Sequence, residues 1–109
     1  MPWLLRDDEV LATLEVADGR RSRTRGLLGR DGCEGVLLLQ PARSVHTIGM
    51  RFPIDVAFCD EELRVLRVVT MRRHRVGRPC LKAHCAIEAV AGTFAHWELH
   101  PGDQLEIRE

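Results

Sequence analysis

The chain has 109 residues, of which 45% are hydrophobic and 29% are charged, and its sixteen basic residues balance sixteen acidic ones. This length suits a single domain with one core, and the composition excludes disordered and fibrous proteins. A net charge of zero argues against a dedicated polyanion binder, so the sequence disfavours nucleic acid as a partner.

Alternation of apolar and polar residues with a period of two dominates the chain and predicts a mainly β fold. Asp7 and Asp8 predict a hairpin turn between the first two strands. The apolar run Val36–Leu39 ends before Pro41 and is typical of a strand covered on both faces. With these, the predicted strands are residues 3–5, 10–16, 36–39, 44–48, 54–59, 63–70, 85–90 and 104–108.

Two short helices are predicted among these strands. One covers residues 20–28 after Asp18, and the other covers residues 93–99 after Gly92 and ends before a Pro-Gly-Asp turn. Short strands separated by turns predict a compact antiparallel β-sandwich or barrel-like single domain over residues 1–109. A Rossmann-like sheet is not predicted, because no alternating strand–helix–strand pattern is present.

The N-terminal residues lack a basic leader, and no run approaches the roughly 20 apolar residues that cross a bilayer. The sequence therefore predicts a cytoplasmic protein with no membrane partner. In that compartment we expect Cys33, Cys59, Cys80 and Cys85 to be reduced.

The segment from Ser44 to Asp55 packs polar and apolar residues around Gly49 and Pro53, which does not suit a plain strand. We interpret it as a ligand pocket for an unknown small molecule or protein. Its predicted residues are His46, Thr47, Met50, Arg51 and Asp55, with support from Arg23, Arg25 and Glu88. In the alternative interpretation, Asp55 is a buried acceptor that fixes a loop.

The order of several short motifs resembles that of the domain-of-unknown-function 192 family. An Arg precedes a Gly-Leu-Leu run, a short apolar strand follows, and a Pro-Ile-Asp segment, a Glu-containing strand and a Gly-Asp turn come later. These are Arg23 with Gly26-Leu27-Leu28, then Gly35-Val36-Leu37-Leu38, Pro53-Ile54-Asp55, Ile87-Glu88-Ala89-Val90 and Gly102-Asp103. The resemblance covers about residues 11–108 and implies a compact β-rich fold with no established activity.

One departure from that family lies at Val45–Met50. Many members carry an aromatic and amide-rich run before the Pro, where this chain has Val-His-Thr-Ile-Gly-Met. Whatever the aromatic run binds is therefore not carried over to this chain.

Three other hypotheses remain open. His46 and Asp55, with Cys59 as a nucleophile, would suit an acid–base or hydrolytic enzyme. The loop Arg72–Arg75 would suit an anion or nucleic-acid binder. The spacing of Cys80, His84 and Cys85 is a poor match to a zinc site, so no metal or cofactor is predicted.

Overall fold

A computed structural model describes residues 2–17, 19 and 26–109 of the chain. In this part of the chain it contains seven strands and one short helix. The strands are β1 (Trp3–Arg6), β2 (Glu9–Ala17), β3 (Val36–Leu39), β4 (Ile54–Cys59), β5 (Val65–Met71), β6 (Cys85–Val90) and β7 (Glu106–Arg108), and the helix is α1 (Thr93–His96).

The strands form one sheet in the order β5-β4-β6-β3-β2-β1-β7. All neighbouring pairs are antiparallel except β2 and β3, which are parallel. The sheet curls until its two ends approach, and an isolated bridge joins Arg64 to Gln104. It does not close into a barrel, because β5 and β7 remain its edges. The predicted mainly β fold is thus confirmed, with an open curled sheet in place of a closed barrel.

The parallel pair depends on a close approach of two backbones. Leu14 on β2 lies opposite Val36 on β3, and Gly35 precedes that contact with a φ of 72°. A Cβ atom at Gly35 would collide with the carbonyl oxygen of Thr13. Only glycine combines this backbone angle with this proximity, so Gly35 allows β3 to start beside β2.

Two predicted elements differ from the structure. Residues 44–48 do not form a strand, and His46 makes only an isolated bridge to Val76. The predicted second helix is shorter and ends at His96. The predicted helix at 20–28 falls on residues 20–25, which lie outside the described part, and on residues 26–28, which begin a turn. In the described residues no helix has both the length and the apolarity to span a bilayer.

The three central strands β3, β4 and β6 are buried on both faces. Alternate residues of β3 therefore enter two different clusters, with Leu38 in one and Leu37 and Leu39 in the other. The first cluster is covered by α1 through Phe94. The second is covered by irregular segments that include Leu27, Val45, Met50 and Cys80. We call the surface of the sheet under these segments the loop-covered face.

Candidate functional site

A cavity of about 240 Å³ lies between the loop-covered face of the sheet and the segments above it. The sheet supplies the floor, the turn at residues 26–28 supplies one wall, and residues 44–50 and 76–77 supply the roof and mouth. The lining residues are mostly apolar, and they are Gly26, Leu27, Leu28, Leu39, Ser44, Val45, His46, Ile48, Met50, Ile54, Val76, Gly77 and Glu88.

Glu88 is the acidic residue of this lining. It lies on β6 opposite Leu37 of β3 and Val56 of β4, at the centre of the sheet. Its side chain points to the loop-covered face, because Ile87 and Ala89 enter the opposite cluster. Only 3% of the residue is exposed, and Oε1 has no hydrogen-bond partner among the described residues. Burial raises the pKa of Glu88 to about 7, and the charge of Arg30 opposes that shift.

A glycine keeps the approach to this carboxyl open. Gly26 has a φ of 51°, and a Cβ atom there would lie 3.2 Å from Oε1 of Glu88. That spacing is tighter than ordinary van der Waals contact, so a side chain at this position would press on the carboxyl. The backbone angle also favours glycine.

Backbone hydrogen bonds join the segments that form the mouth of the cavity. The amide of Thr47 donates to Arg75 O at 2.7 Å, and the amide of His74 donates to Thr47 O at 2.8 Å. Gly77 N donates to Val45 O at 3.0 Å. These bonds join residues 45–47 to residues 74–77, and we call the two joined segments the ribbon. The hydroxyl of Thr47 is fully buried and accepts from Arg75 N at 2.9 Å. Thr47 therefore positions the Arg72–Arg75 loop and does not line the cavity.

His46 and Met50 are the two predicted pocket residues that do line the cavity. Met50 is buried and contributes apolar surface. His46 is exposed at the mouth, and its Nδ1 accepts from the amide of Ile48 at 3.3 Å. An imidazole that accepts at Nδ1 carries its proton on Nε2 when neutral, so His46 offers a donor to a ligand.

Asp55 lies on the opposite face of the sheet from the cavity. Its Oδ1 accepts from the hydroxyl of Thr70 at 2.6 Å, and its Oδ2 accepts from the amides of Gly92 and Phe94 at 2.9 and 3.0 Å. These bonds attach the start of α1 to β4 and correspond to the loop-fixing interpretation. The expectation that Asp55 shares a pocket with His46 is corrected by this geometry, since the strand register places Asp55 on the other face.

Arg51, another predicted site residue, does not line the cavity. Arg51 is exposed and forms an ion pair with Asp31 at 2.7 Å. Arg23 and Arg25 lie outside the described residues. The structure therefore brings together His46, Met50 and Glu88, and it separates them from Thr47, Arg51 and Asp55.

Cys59, the predicted nucleophile, is buried in the core cluster on the face of the sheet opposite the cavity. Cys59 and Cys85 are register partners on β4 and β6, and both are buried. A hydrogen bond that Cys59 donates to Cys85, together with burial, raises the pKa of the Cys59 thiol, which disfavours a thiolate at Cys59. His84 contacts Gln40 at 2.9 Å. Within residues 2–17, 19 and 26–109, no three His, Cys, Asp or Glu side chains are placed to hold a metal ion.

Charge is strongly segregated along the segments that contribute to the mouth of the cavity. Arg72, Arg73 and Arg75 themselves line a separate depression beside Pro53. The sequence has no acidic residue between positions 35 and 54 or between positions 63 and 87. Arg72, Arg73 and Arg75 are exposed, and none of them pairs with an acid in the described part of the chain. We call the surface formed by these three arginines the arginine loop.

Most of the cavity lining was not predicted from the sequence. Leu27, Leu39, Ile54 and Val76 belong to four segments far apart in the chain, and each is an ordinary apolar residue. Glu88 had a usable signal, because it is the one charged residue in the run Cys85–Val90. A charge inside an uninterrupted buried strand indicates either a paired structural group or a site.

The fold and the cavity define a class of small mainly β proteins with a curled sheet and a pocket between sheet and loops. The chain belongs to the DUF192 family, described as "Uncharacterized ACR", whose model matches residues 4–107. No curated protein matches the chain at a significant level.

Two solved structures are similar to this fold. One is a protein of unknown function from Novosphingobium aromaticivorans, with 17% identity, a TM-score of 0.82, and coverage of 96% of this chain and 82% of that one. The other is from Sinorhizobium meliloti and is described as a "putative transcription regulator". It has 20% identity, a TM-score of 0.78, and coverage of 96% and 90% of the two chains. At these identities the likeness establishes the fold alone.

Proposed function

We propose that this protein is a binding module for a small molecule, and that its site is the cavity lined by His46, Met50 and Glu88. The observation that carries the proposal is the carboxyl of Glu88, which is buried on the cavity floor with an oxygen unpartnered among the described residues. Concave, mostly apolar pockets with a few polar groups are typical of ligand sites. A buried polar group without a partner costs free energy that a ligand can remove.

Binding is favoured over acid–base catalysis by the arrangement of the same residues. A base and its orienting acid need to lie within hydrogen-bond reach, about 3.2 Å. Asp55 is engaged by Thr70 and two backbone amides on the far face of the sheet. His46 is engaged by Ile48 N at the mouth. The pair proposed for an enzyme is thus divided between two faces.

A fragment screen by NMR tests the binding site. We expect chemical-shift changes from bound fragments to concentrate at His46, Met50 and Gly77. Ser44 is exposed and lines the mouth, so Ser44→Trp should fill the entrance and weaken fragment binding by about tenfold without unfolding the protein. Val16→Trp adds the same indole at an exposed strand position outside the cavity and should leave binding unchanged. Shift changes that avoid the cavity would contradict the proposal.

A second candidate function is binding of a polyanion such as nucleic acid at the arginine loop. The observation in its favour is that Arg72, Arg73 and Arg75 are exposed without an acidic partner in the described residues. The phrase "transcription regulator" applied to the Sinorhizobium meliloti protein is a weak support of the same kind. The balanced charge of the whole chain opposes it.

The dependence of duplex DNA binding on salt tests this candidate. Three phosphate contacts predict that log K falls with log salt at a slope of about −2.7. Replacing Arg72, Arg73 and Arg75 by Gln should abolish binding. The matched control replaces Arg30, Arg51 and Arg108 by Gln, which removes the same charge from side chains already paired with acids. If the two triple variants lose DNA affinity equally, the arginine loop is excluded as the binding surface.

A further inference from the structure

The floor of the cavity selects for a ligand group that donates hydrogen bonds. Oε1 of Glu88 has no donor near it among the described residues, and its neighbours across the strands are Leu37 and Val56. An ionised carboxylate in such surroundings is destabilised unless a donor or a cation reaches it. An amine supplies both N–H donors and the opposite charge. A hydroxyl supplies one donor without a charge, and a carbonyl supplies no donor.

The walls of the cavity select for a short apolar body behind that group. Leu27, Leu39, Met50 and Ile54 line the space between floor and mouth. A cavity of about 240 Å³ is smaller than most pockets that hold drug-sized ligands, so it admits only a small ligand. The ligand therefore has a chain or ring of only a few carbon atoms inside the cavity.

The mouth of the cavity selects for a negative charge at the outer end. His46 offers its Nε2 proton there, because its Nδ1 already accepts from Ile48 N. The arginine loop lines a separate depression beside Pro53, and it is followed in the chain by Val76, which lines the mouth. No acidic residue occurs in residues 35–54 or 63–87. A cluster of one sign of charge around a concave site raises the local concentration of ions of the opposite sign.

Together these three features lead to a ligand class. We propose that the cavity binds a small amino acid in which a short apolar body separates the amine from the acid, with the amine at Glu88 and the acid beside His46 at the mouth. This inference rests on the proposed binding function and specifies the ligand of that same site. A side chain at position 26 would occupy the space beside Oε1 that the amine needs, because its Cβ would lie 3.2 Å from that oxygen.

The protonation of Glu88 makes this binding depend on pH. The titratable groups that act on Glu88 among the described residues are Arg30, which favours its ionised form, and the neighbouring Cys33. His46 lines the same cavity, and the facing residues of β3 and β4 carry no charge. An amine with an ordinary pKa of about 10.4 stays charged throughout the neutral range. Affinity for the amino acid should therefore fall as the pH drops and Glu88 takes up its proton.

Calorimetric titration with matched probes tests the proposal. The probes are ω-amino acids of four, six and eight carbons, the carboxylic acids of the same lengths, and the amines of the same lengths. At pH 8 we expect the best amino acid to bind at least about tenfold more tightly than its carboxylic acid and its amine. Lowering the pH to 6 should weaken the amino acid about tenfold and leave the carboxylic acid unchanged or stronger.

Glu88→Gln distinguishes the role of the carboxyl from a general effect of charge. The variant should lose the tenfold preference for the amino acid and keep its affinity for the carboxylic acid. Glu9→Gln removes an exposed carboxylate that forms no ion pair with the described residues, and it should keep the preference. A preference that survives in Glu88→Gln would overturn the assignment of the amine to Glu88.

The two proposals fail in different ways. If fragments from the NMR screen occupy the cavity but none of the amino acids binds more tightly than its matched carboxylic acid, the ligand class is wrong and the binding site stands. If neither the fragments nor the amino acids shift the signals of His46 and Met50, both the ligand class and the proposed function are wrong.

Discussion

At the scale of single residues, Glu88 and Asp55 show how burial and partners decide the role of a carboxylate. Both are almost fully buried on neighbouring strands of one sheet. Asp55 accepts three hydrogen bonds, and Glu88 Oε1 accepts none from the described residues. Asp55 therefore stabilises the fold, whereas Glu88 costs stability when it is ionised.

The raised pKa of Glu88 predicts that the protein loses stability as the pH rises from about 4.5 to about 7. Below about pH 4.5 the Glu88 carboxyl is protonated in both the folded and the unfolded protein. In the window between about pH 4.5 and about pH 7 it stays protonated in the folded protein and is ionised in the unfolded protein. The full loss above the window is about 3 kcal/mol, at about 1.4 kcal/mol per pKa unit. Glu88→Gln should not show this loss of stability. Urea unfolding at pH 5 and pH 8.5 measures the free energy of unfolding of the wild type and the variant.

The control for this prediction is Glu9→Gln. Glu9 is exposed and forms no ion pair with the described residues, so this variant should keep the loss of stability seen in the wild type. The account would be contradicted if Glu88→Gln and the wild type lost equal stability between the two pH values.

At the scale of elements, the short helix α1 is stable because β4 holds its start. Asp55 on β4 accepts from the amides of Gly92 and Phe94, and Phe94 enters the core below. A four-residue helix has too few internal hydrogen bonds to persist alone. The side chain of Asp55 thus replaces the cap that Gly92 lacks.

Asp55→Ala should lower the free energy of unfolding by about 1–3 kcal/mol, because the buried amide of Phe94 and the amide of Gly92 lose their acceptor. Asp55→Asn keeps one acceptor oxygen and should lose less. Thermal melts measure both, and hydrogen exchange should accelerate at Gly92 and Phe94 in Asp55→Ala. An unchanged melting temperature in Asp55→Ala would show that these bonds contribute nothing to stability.

The strands were predictable from the sequence and their neighbours in the sheet were not. Alternation placed Ile54, Val56 and Phe58 on one face of β4, and they do share one cluster. Which residues of β6 lie under the cavity depends on the pairing of β6 with β4. That pairing brings Glu88 opposite Val56. No local pattern encodes this pairing, so the sequence placed Asp55, rather than Glu88, at the centre of the pocket.

At the scale of the whole molecule, balanced charge conceals strong segregation. Nine of the sixteen basic residues and no acidic residue lie in segments 35–54 and 63–87. The ribbon that joins His46, Thr47 and Arg75 brings parts of these two segments together at the mouth of the cavity. The net charge of the chain does not reveal this segregation, because it sums over all positions and takes no account of which segments the fold brings together.

The proposed function depends most on Oε1 of Glu88, which has no hydrogen-bond partner among the described residues and lies on the floor of the cavity. A ¹³C NMR titration of the side-chain carboxyl signals measures this most directly, with the Glu88 signal assigned by its absence in Glu88→Gln. The account predicts a midpoint near pH 7, set by burial. A midpoint at or below the ordinary value of 4.5 would mean that the carboxylate is already paired in the folded protein, and it would contradict the account.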